Sequence, residues 1–258
     1  INEKELAHSA TVPSLGLSNR AIFEPNQIEH SFKPAILNEP PSEEVLLQNT
    51  LWPEIQKLYG HGYELFAVAA NHSGKLIASA CKASKSEHAN VILWNVNDGK
   101  QIGKLHSHQL TITQIRFSYD DKYILTVSRD RTWALFELNQ DNKYERVAFS
   151  DKKNGIHTRI IWDCSWAYDN KHFMTVSRDK TAVIWSIDKL NQNEVKQNSL
   201  GPVVPVDQVT LIDSIMSVDF ALPLYDSLLV AFGFENGYLH LYKWNLDSKW
   251  VFLHQINW

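Results

Sequence analysis

Thr126-Val127-Ser128-Arg129-Asp130 recurs unchanged as Thr175-Val176-Ser177-Arg178-Asp179, 49 positions further along a chain of 258 residues. The likeness extends outward from this run without a gap. His108 falls on His157, Ile112 on Ile161, Tyr119-Asp120 on Tyr168-Asp169, Lys122 on Lys171, Thr132 on Thr181 and Phe136 on Trp185. Chance rarely gives an identical five-residue run at one consistent offset, so the chain carries an internal repeat, and a repeat of this size dictates the architecture.

Each copy reads as three short strands. Thr113 to Phe117 alternates apolar and polar residues, the turn Tyr119-Asp120-Asp121-Lys122 follows, Tyr123 to Ser128 is a second strand, and the tight turn at 129–131 leads into Thr132 to Phe136. Period-two patterning between polar turns predicts antiparallel strands. A fourth strand fits before the next histidine, at Gln101 to Leu105 or Tyr144 to Phe149. Weaker copies flank these. Upstream, Gly60-His61 precedes Leu65 to Ala69, Lys75 to Cys81 and Val91 to Trp94, with the second turn stretched by residues 82–90. Downstream, Ile215 to Phe220, Leu228 to Gly233 and Tyr238 to Tyr242 repeat the plan. The strand-ending aromatics Trp94, Phe136, Trp185 and Tyr242 lie 42, 49 and 57 residues apart. Four strands per repeat of this length, running from Gly-His to Trp, are the mark of a WD-repeat β-propeller. The expected fold is therefore all-β, a WD40-type propeller of four-stranded antiparallel blades, with about four blades over 56–258 forming an incomplete ring. Residues 1–55, with prolines at 34, 40, 41 and 53, read as a partial blade and an irregular connector.

In such a blade a hydrogen-bond chain joins the third-strand Trp to a Ser, the Ser to the His, and the His to the turn Asp. The expected set is Trp185, Ser177, His157 and Asp179 in one repeat. In the other it is Ser128, His108 and Asp130, where Phe136 lacks the indole donor. Cys81 falls where the hydroxyl of the first repeat is expected and reads as a small buried residue. Ser, His and Asp are also the parts of a hydrolase triad. Recurrence in successive repeats favours scaffolding, and no glycine-flanked Ser at a strand-to-helix turn accompanies the set. His106 and His108 alternate on one strand edge without a third ligand at metal-site spacing. No phosphate loop or dinucleotide fingerprint is visible. No catalytic residue, metal or cofactor is expected. A propeller enzyme would need acids on the first strands, where Asp163 and Asp219 are the only obvious ones.

The turns between second and third strands carry Arg129, Arg131, Arg178 and Lys180, and Arg159 follows His157. Adjacent blades would bring these cations to one rim, as a partner-binding or RNA-binding surface or as solvated turns. Glu235 at the matching turn of the last blade reverses the sign, so the patch is not expected to circle the ring. The net charge of −4 argues against a whole surface built for nucleic acid. Two cysteines far apart give no disulfide framework and favour a reducing, cytosolic setting. The expected location is the cytoplasm, with the nucleus as a second. No apolar run approaches the roughly 18 residues of a membrane span. The opening at Ile1 rather than Met suggests an excerpt from a longer protein.

Trp52-Pro53-Glu54-Ile55-Gln56-Lys57-Leu58-Tyr59-Gly60-His61-Gly62-Tyr63-Glu64 carries a more specific likeness, as do Ala10 to Asn19, Gln48 to Leu51, Ala78 to Ala83, Val127 to Trp133 and His157 to Trp162. In these stretches the chain resembles the WD-repeat subunit of the Elongator complex over nearly its whole length. The resemblance implies two propellers in tandem, with this chain in the second and a further blade beyond Trp258. It implies a non-catalytic scaffold that bridges the largest subunit and the catalytic, acetyltransferase-like subunit. That assembly modifies wobble uridines in transfer RNA. The expected partners are those two subunits, with transfer RNA as a further candidate and neither membrane nor small-molecule substrate. A general WD-repeat adaptor with other partners is the alternative.

Overall fold

In a computed structural model, residues 57–151, 155–188, 205–222, 227–245, 247 and 249–256 are described. The expected connector over 1–55 lies outside them. The alternating segments form four antiparallel meanders. The first sheet contains β1 (Leu65–Ala70), β2 (Leu76–Cys81), β3 (Asn90–Asn95) and β4 (Gln101–His106). The second contains β5 (Ile112–Phe117), β6 (Tyr123–Ser128), β7 (Trp133–Leu138) and β8 (Tyr144–Phe149). The third contains β9 (Ile161–Trp166), β10 (His172–Ser177), β11 (Thr181–Ser186) and β12 (Asp207–Thr210). The fourth contains β13 (Ile215–Phe220), β14 (Leu228–Phe234), β15 (Leu239–Asn245) and β16 (Lys249–Ile256). β4 and β8 end one sheet while opening the next sequence repeat, so the repeat staples neighbouring blades together.

The innermost strands β1, β5, β9 and β13 lie side by side in succession. Each pairs with its second strand through an irregularity at the same place, at Leu65/Ala67, Ile112/Gln114, Ile161/Asp163 and Ile215/Ser217. A bulge adds right-handed twist, and repeating it gives every blade the same twist. Among the described residues the four sheets do not close a ring.

The apolar core sits between the sheets. Ile115, Ile124 and Phe136 face Ala78, Val91 and Leu93 of the first sheet. Tyr123, Leu125 and Trp133 face Ile161, Phe173 and Trp185 of the third. Met174, Val176 and Ile184 face Val218, Phe232 and Trp244 of the fourth. Alternation along β6 and β10 thus feeds two cores at once. The Trp133 ring lies 4.9 Å from Trp185 and 5.2 Å from Phe173, both within aromatic contact range. On β1, Ala67 and Ala69 point into the first core, while Phe66 and Val68 face away and are exposed. Val251, paired with Lys243, is exposed on the matching outer face of the fourth sheet.

Phe173 is fully buried between the second and third sheets. Phe173→Ala should cost about 3–5 kcal/mol, as buried aromatic truncations do. The readout is the urea unfolding midpoint, and a loss below about 1 kcal/mol would show that no packed layer joins these sheets.

Candidate functional site

The residues with chemistry fall in two places, a relay inside each of the first three blades and a cationic rim above it. In the third blade, Trp185 Nε1 donates to Thr175 Oγ1 at 2.9 Å, and His157 Nε2 lies 2.8 Å from the same oxygen. His157 Nδ1 lies 2.9 Å from Thr181 Oγ1 and 3.5 Å from Asp179 Oδ2. Thr181 Oγ1 donates in turn to Asp179. The relay hydroxyl is therefore Thr175 and not the expected Ser177. Strand geometry explains the correction. Trp185 sits directly opposite Phe173, which makes Thr175 its diagonal neighbour, about 7–8 Å away and within an indole's reach. Ser177 lies two residues beyond, about 6.5 Å further along the strand. Its hydroxyl instead accepts the Asp179 N–H at 3.1 Å and caps the turn.

The second blade repeats the arrangement. His108 Nε2 lies 2.8 Å from Thr126 Oγ1, and its Nδ1 lies 3.0 Å from Thr132 Oγ1 and 3.3 Å from Asp130 Oδ2. Thr126, not Ser128, occupies the relay. Ser128 Oγ accepts from Asp130 N–H and donates to the Thr111 carbonyl. Phe136 supplies no donor, and Thr126 Oγ1 turns to the Ala134 carbonyl at 3.3 Å. In the first blade, Trp94 Nε1 donates to Ser79 Oγ at 2.7 Å and His61 Nε2 lies 2.8 Å from it. Ser79 is thus the hydroxyl expected at Cys81, whose thiol donates to the His88 carbonyl. The repeat alignment already held Thr126 over Thr175 inside the identical run, so the spacing to the aromatic residue was the signal available.

Both turn aspartates are held below the ordinary carboxylate range. Burial alone would raise Asp130. The hydrogen bond and charge of His108, the Thr132 hydroxyl and the Gln109 N–H outweigh it and lower the pKa to about 2. Asp179 is lowered in the same way, against burial, by His157, Thr181 and the Thr158 N–H. Arg131 and Lys180, the next residues, have φ of 73° and 72°, where the fourth blade has Gly237 at 88°.

Chemistry other than structural is poorly served here. The side chains of His108 and His157 are almost completely enclosed. Asp163 accepts from Gln114, Val218 N–H and Cys164 N–H, with Arg116 3.8 Å away. Asp219 accepts from Ser165 Oγ and Phe220 N–H. Both first-strand acids thus tie neighbouring inner strands together. Among the described residues no three His, Cys, Asp or Glu cluster to hold a metal. Both cysteines are buried free thiols.

On the rim, the fourth blade offsets part of the positive charge. Arg178 lies 3.8 Å from Glu235, and Lys180 lies 3.9 Å from Asp213 while donating to the Ile212 carbonyl. Arg159 is exposed after the buried His157. Arg129 and Arg131 are exposed, and among the described residues no ion pair engages either guanidinium. They border a cleft of about 360 Å³ together with Ser84, Lys85, Ser86 and Gln109.

Four four-stranded meanders, with a His–hydroxyl–indole relay in the first and the third, are the architecture of WD-repeat blades. A family model described as WD domain, G-beta repeat, matches residues 99–137 and 154–186, the two segments that hold the strong repeats. Within that class the chain aligns with Elongator complex protein 2 along almost its whole length. It is 45% identical to the Homo sapiens protein and 43% identical to that of Mus musculus, over 96% of this chain in both cases. It is 37% identical to the Schizosaccharomyces pombe protein over 97% of this chain. The aligned region is 33%, 32% and 33% of those relatives, so the chain spans about a third of their length. Among the described residues no helix is long and apolar enough to cross a membrane.

Thr175→Val leaves an indole N–H and an imidazole nitrogen unpaired in the core, and should cost about 1–3 kcal/mol. Chemical denaturation should find Ser177→Ala milder, and the reverse order would return the relay to Ser177. Asp179→Ala should lower the melting temperature through the same chain. The depressed Asp130 carboxyl contributes stability that is present above its unfolded pKa of about 3.9 and lost as pH falls toward 2. Asp130→Asn should therefore flatten the decline in unfolding free energy between about pH 4 and 2, and an unchanged slope would contradict the assignment.

Proposed function

We propose that the chain is a non-catalytic scaffold segment of an Elongator WD-repeat subunit, within the second of two propellers. In this reading it bridges the largest subunit and the catalytic acetyltransferase-like subunit, and so supports wobble-uridine modification of transfer RNA in the cytoplasm and nucleus. The observation that carries the reading is identity of about 40–45% along nearly the entire chain with Elongator complex protein 2. The geometry agrees with it. The Ser, His and Asp groups that resemble a hydrolase set are spent inside the blades, which leaves the loops to meet other macromolecules.

Arg129, Arg131, Arg159, Arg178 and Lys180 form the proposed contact surface for partner subunits or transfer RNA. Arg129 and Arg131 lead it, because the other blade's turn cations already face Glu235 and Asp213. Holding Arg131 and Lys180 in the left-handed region costs about 1–2 kcal/mol each, and such strain concentrates at working sites. Guanidinium groups suit carboxylate surfaces and phosphates equally well. A general adaptor with other partners remains the alternative reading.

The double substitution Arg129→Glu and Arg131→Glu should leave the unfolding midpoint within about 0.5 kcal/mol of wild type. It should also reduce recovery of Elongator subunits in pull-downs severalfold. Undiminished recovery with normal wobble-uridine modification would remove this surface from the reading. Filter binding of transfer RNA at two salt concentrations separates direct RNA contact, whose affinity must fall steeply with salt, from docking on protein alone.

A further inference from the structure

The loop that stretches the second turn of the first blade ends against the second blade. Ala83 N–H donates to Thr111 Oγ1 at 2.9 Å, and Thr111 N–H donates to the Ala83 carbonyl at 3.0 Å. Thr111 is itself the acceptor for the Arg129 N–H, also at 3.0 Å. The far side of the loop is pinned as well. His88 N–H and Ala89 N–H donate to the Lys85 and Ser86 carbonyls, and Asn90 Nδ2 donates to the Glu87 carbonyl at 2.7 Å. Two buried residues, Ala83 and Ala89, thus bracket an exposed tip at 84–87. The tip forms one wall of the cleft whose other wall holds Arg129 and Arg131.

The cleft is unbalanced in charge. Lys85, Arg129 and Arg131 border it; Lys85 lies 4.0 Å from Glu87, whereas among the described residues no ion pair engages the two guanidinium groups, and the one carboxylate on the lining, Asp130, is buried and committed to His108, Thr132 and Gln109. Among the described residues the hydroxyls of Ser84 and Ser86 have no hydrogen-bond partner. A cleft with two guanidinium groups, whose one lining carboxylate is already committed elsewhere, matches a phosphate, which accepts several charge-assisted hydrogen bonds at once. The serine nearest the Ala83–Thr111–Arg129 joint is Ser84. Ser84-Lys85-Ser86-Glu87 also places a carboxylate three residues after it, the spacing that acid-directed protein kinases select.

We propose that Ser84 is a phosphorylation site whose phosphate seats in the cleft against Arg129 and Arg131. Transfer of the γ-phosphoryl group from a nucleoside triphosphate forms the Ser84 Oγ–P bond and breaks the bond to the β-phosphate bridging oxygen. The hydroxyl proton leaves with the nucleoside diphosphate. The product ties the first blade to the second and cancels the charge of the unpaired rim cations. The proposal does not depend on which partners the rim meets.

The test uses the full chain with phosphoserine installed at position 84, its folded sheet content checked by circular dichroism. Phosphorus NMR then follows the second phosphate ionisation, which lies near 6 for a solvated phosphoserine. Seating against the guanidinium pair should lower that midpoint by at least about 1 pH unit. Arg129→Gln with Arg131→Gln should return it to the solvated value in an equally folded protein. The same midpoint in both folded proteins would overturn the seating. A shift for phosphoserine at 86 but not at 84 would overturn the choice of residue. In parallel, an acid-directed kinase with ATP should label the wild-type chain at Ser84 and lose that label in Ser84→Ala. Labelling elsewhere with Ser84 untouched would overturn the modification site.

Discussion

Strands β6 and β10 have no solvent side. Every residue of Tyr123–Ser128 is buried, and in His172–Ser177 only the first is partly open. A sheet whose central strands are apolar on both faces is stable only between two other layers. One four-stranded meander cannot supply those layers, so each blade has to be flanked by others. The three inter-sheet cores, the shared inner edge and the bulge repeated at the same place in each first strand all follow from this. The same constraint makes the polar relay necessary wherever a histidine enters between blades, because an unpaired imidazole there would carry a desolvation cost of about 1–3 kcal/mol.

The relay varies from blade to blade in an informative way. The third blade has indole, hydroxyl, imidazole and carboxylate together. The second lacks the indole, and its Thr126 hydroxyl finds a backbone carbonyl instead. The first keeps Trp94, Ser79 and His61 without a carboxylate, and burial followed by the charge of Lys104 lowers the His61 pKa. The fourth has Leu211, Phe232 and Tyr242 at the matching positions, with Leu211 and Phe232 in its core. Replacing every partner of a buried network by apolar groups is close to neutral, whereas removing one partner is costly. The slot is therefore filled by a satisfied relay or by none.

Architecture was legible because it is written in residue identity at short range. The duplicated run around Thr126 and Thr175 marks the turns, and period-two patterning places fourteen of the sixteen strands among the described residues, all but β12 and β16, to within three residues at either end. The relay was legible in kind but shifted by one pleat. Ser177 and Thr175 point to the same face, and only the register of β10 against β11 decides which one an indole meets. The rim was less legible still. Five cations could be read from the turns, but their electrostatic standing depends on Glu235 and Asp213, far along the chain, and on a loop at 82–89 whose side chains line the same cleft.

The fourth blade makes the same turn with Gly237, which shows that the turn itself requires no cation there. Arg131 and Lys180 occupy that strained position all the same, yet their surroundings differ. Lys180 is held by Asp213 and the Ile212 carbonyl, while Arg131 opens with Arg129 onto the cleft. Arg178, in the matching turn of the third blade, lies 3.8 Å from Glu235 in the turn of the next, so the positive charge there is offset while that of Arg129 and Arg131 is not. The positive potential is therefore concentrated at the junction of the first and second blades. An acidic group guided by it would meet the array off-centre and in one orientation.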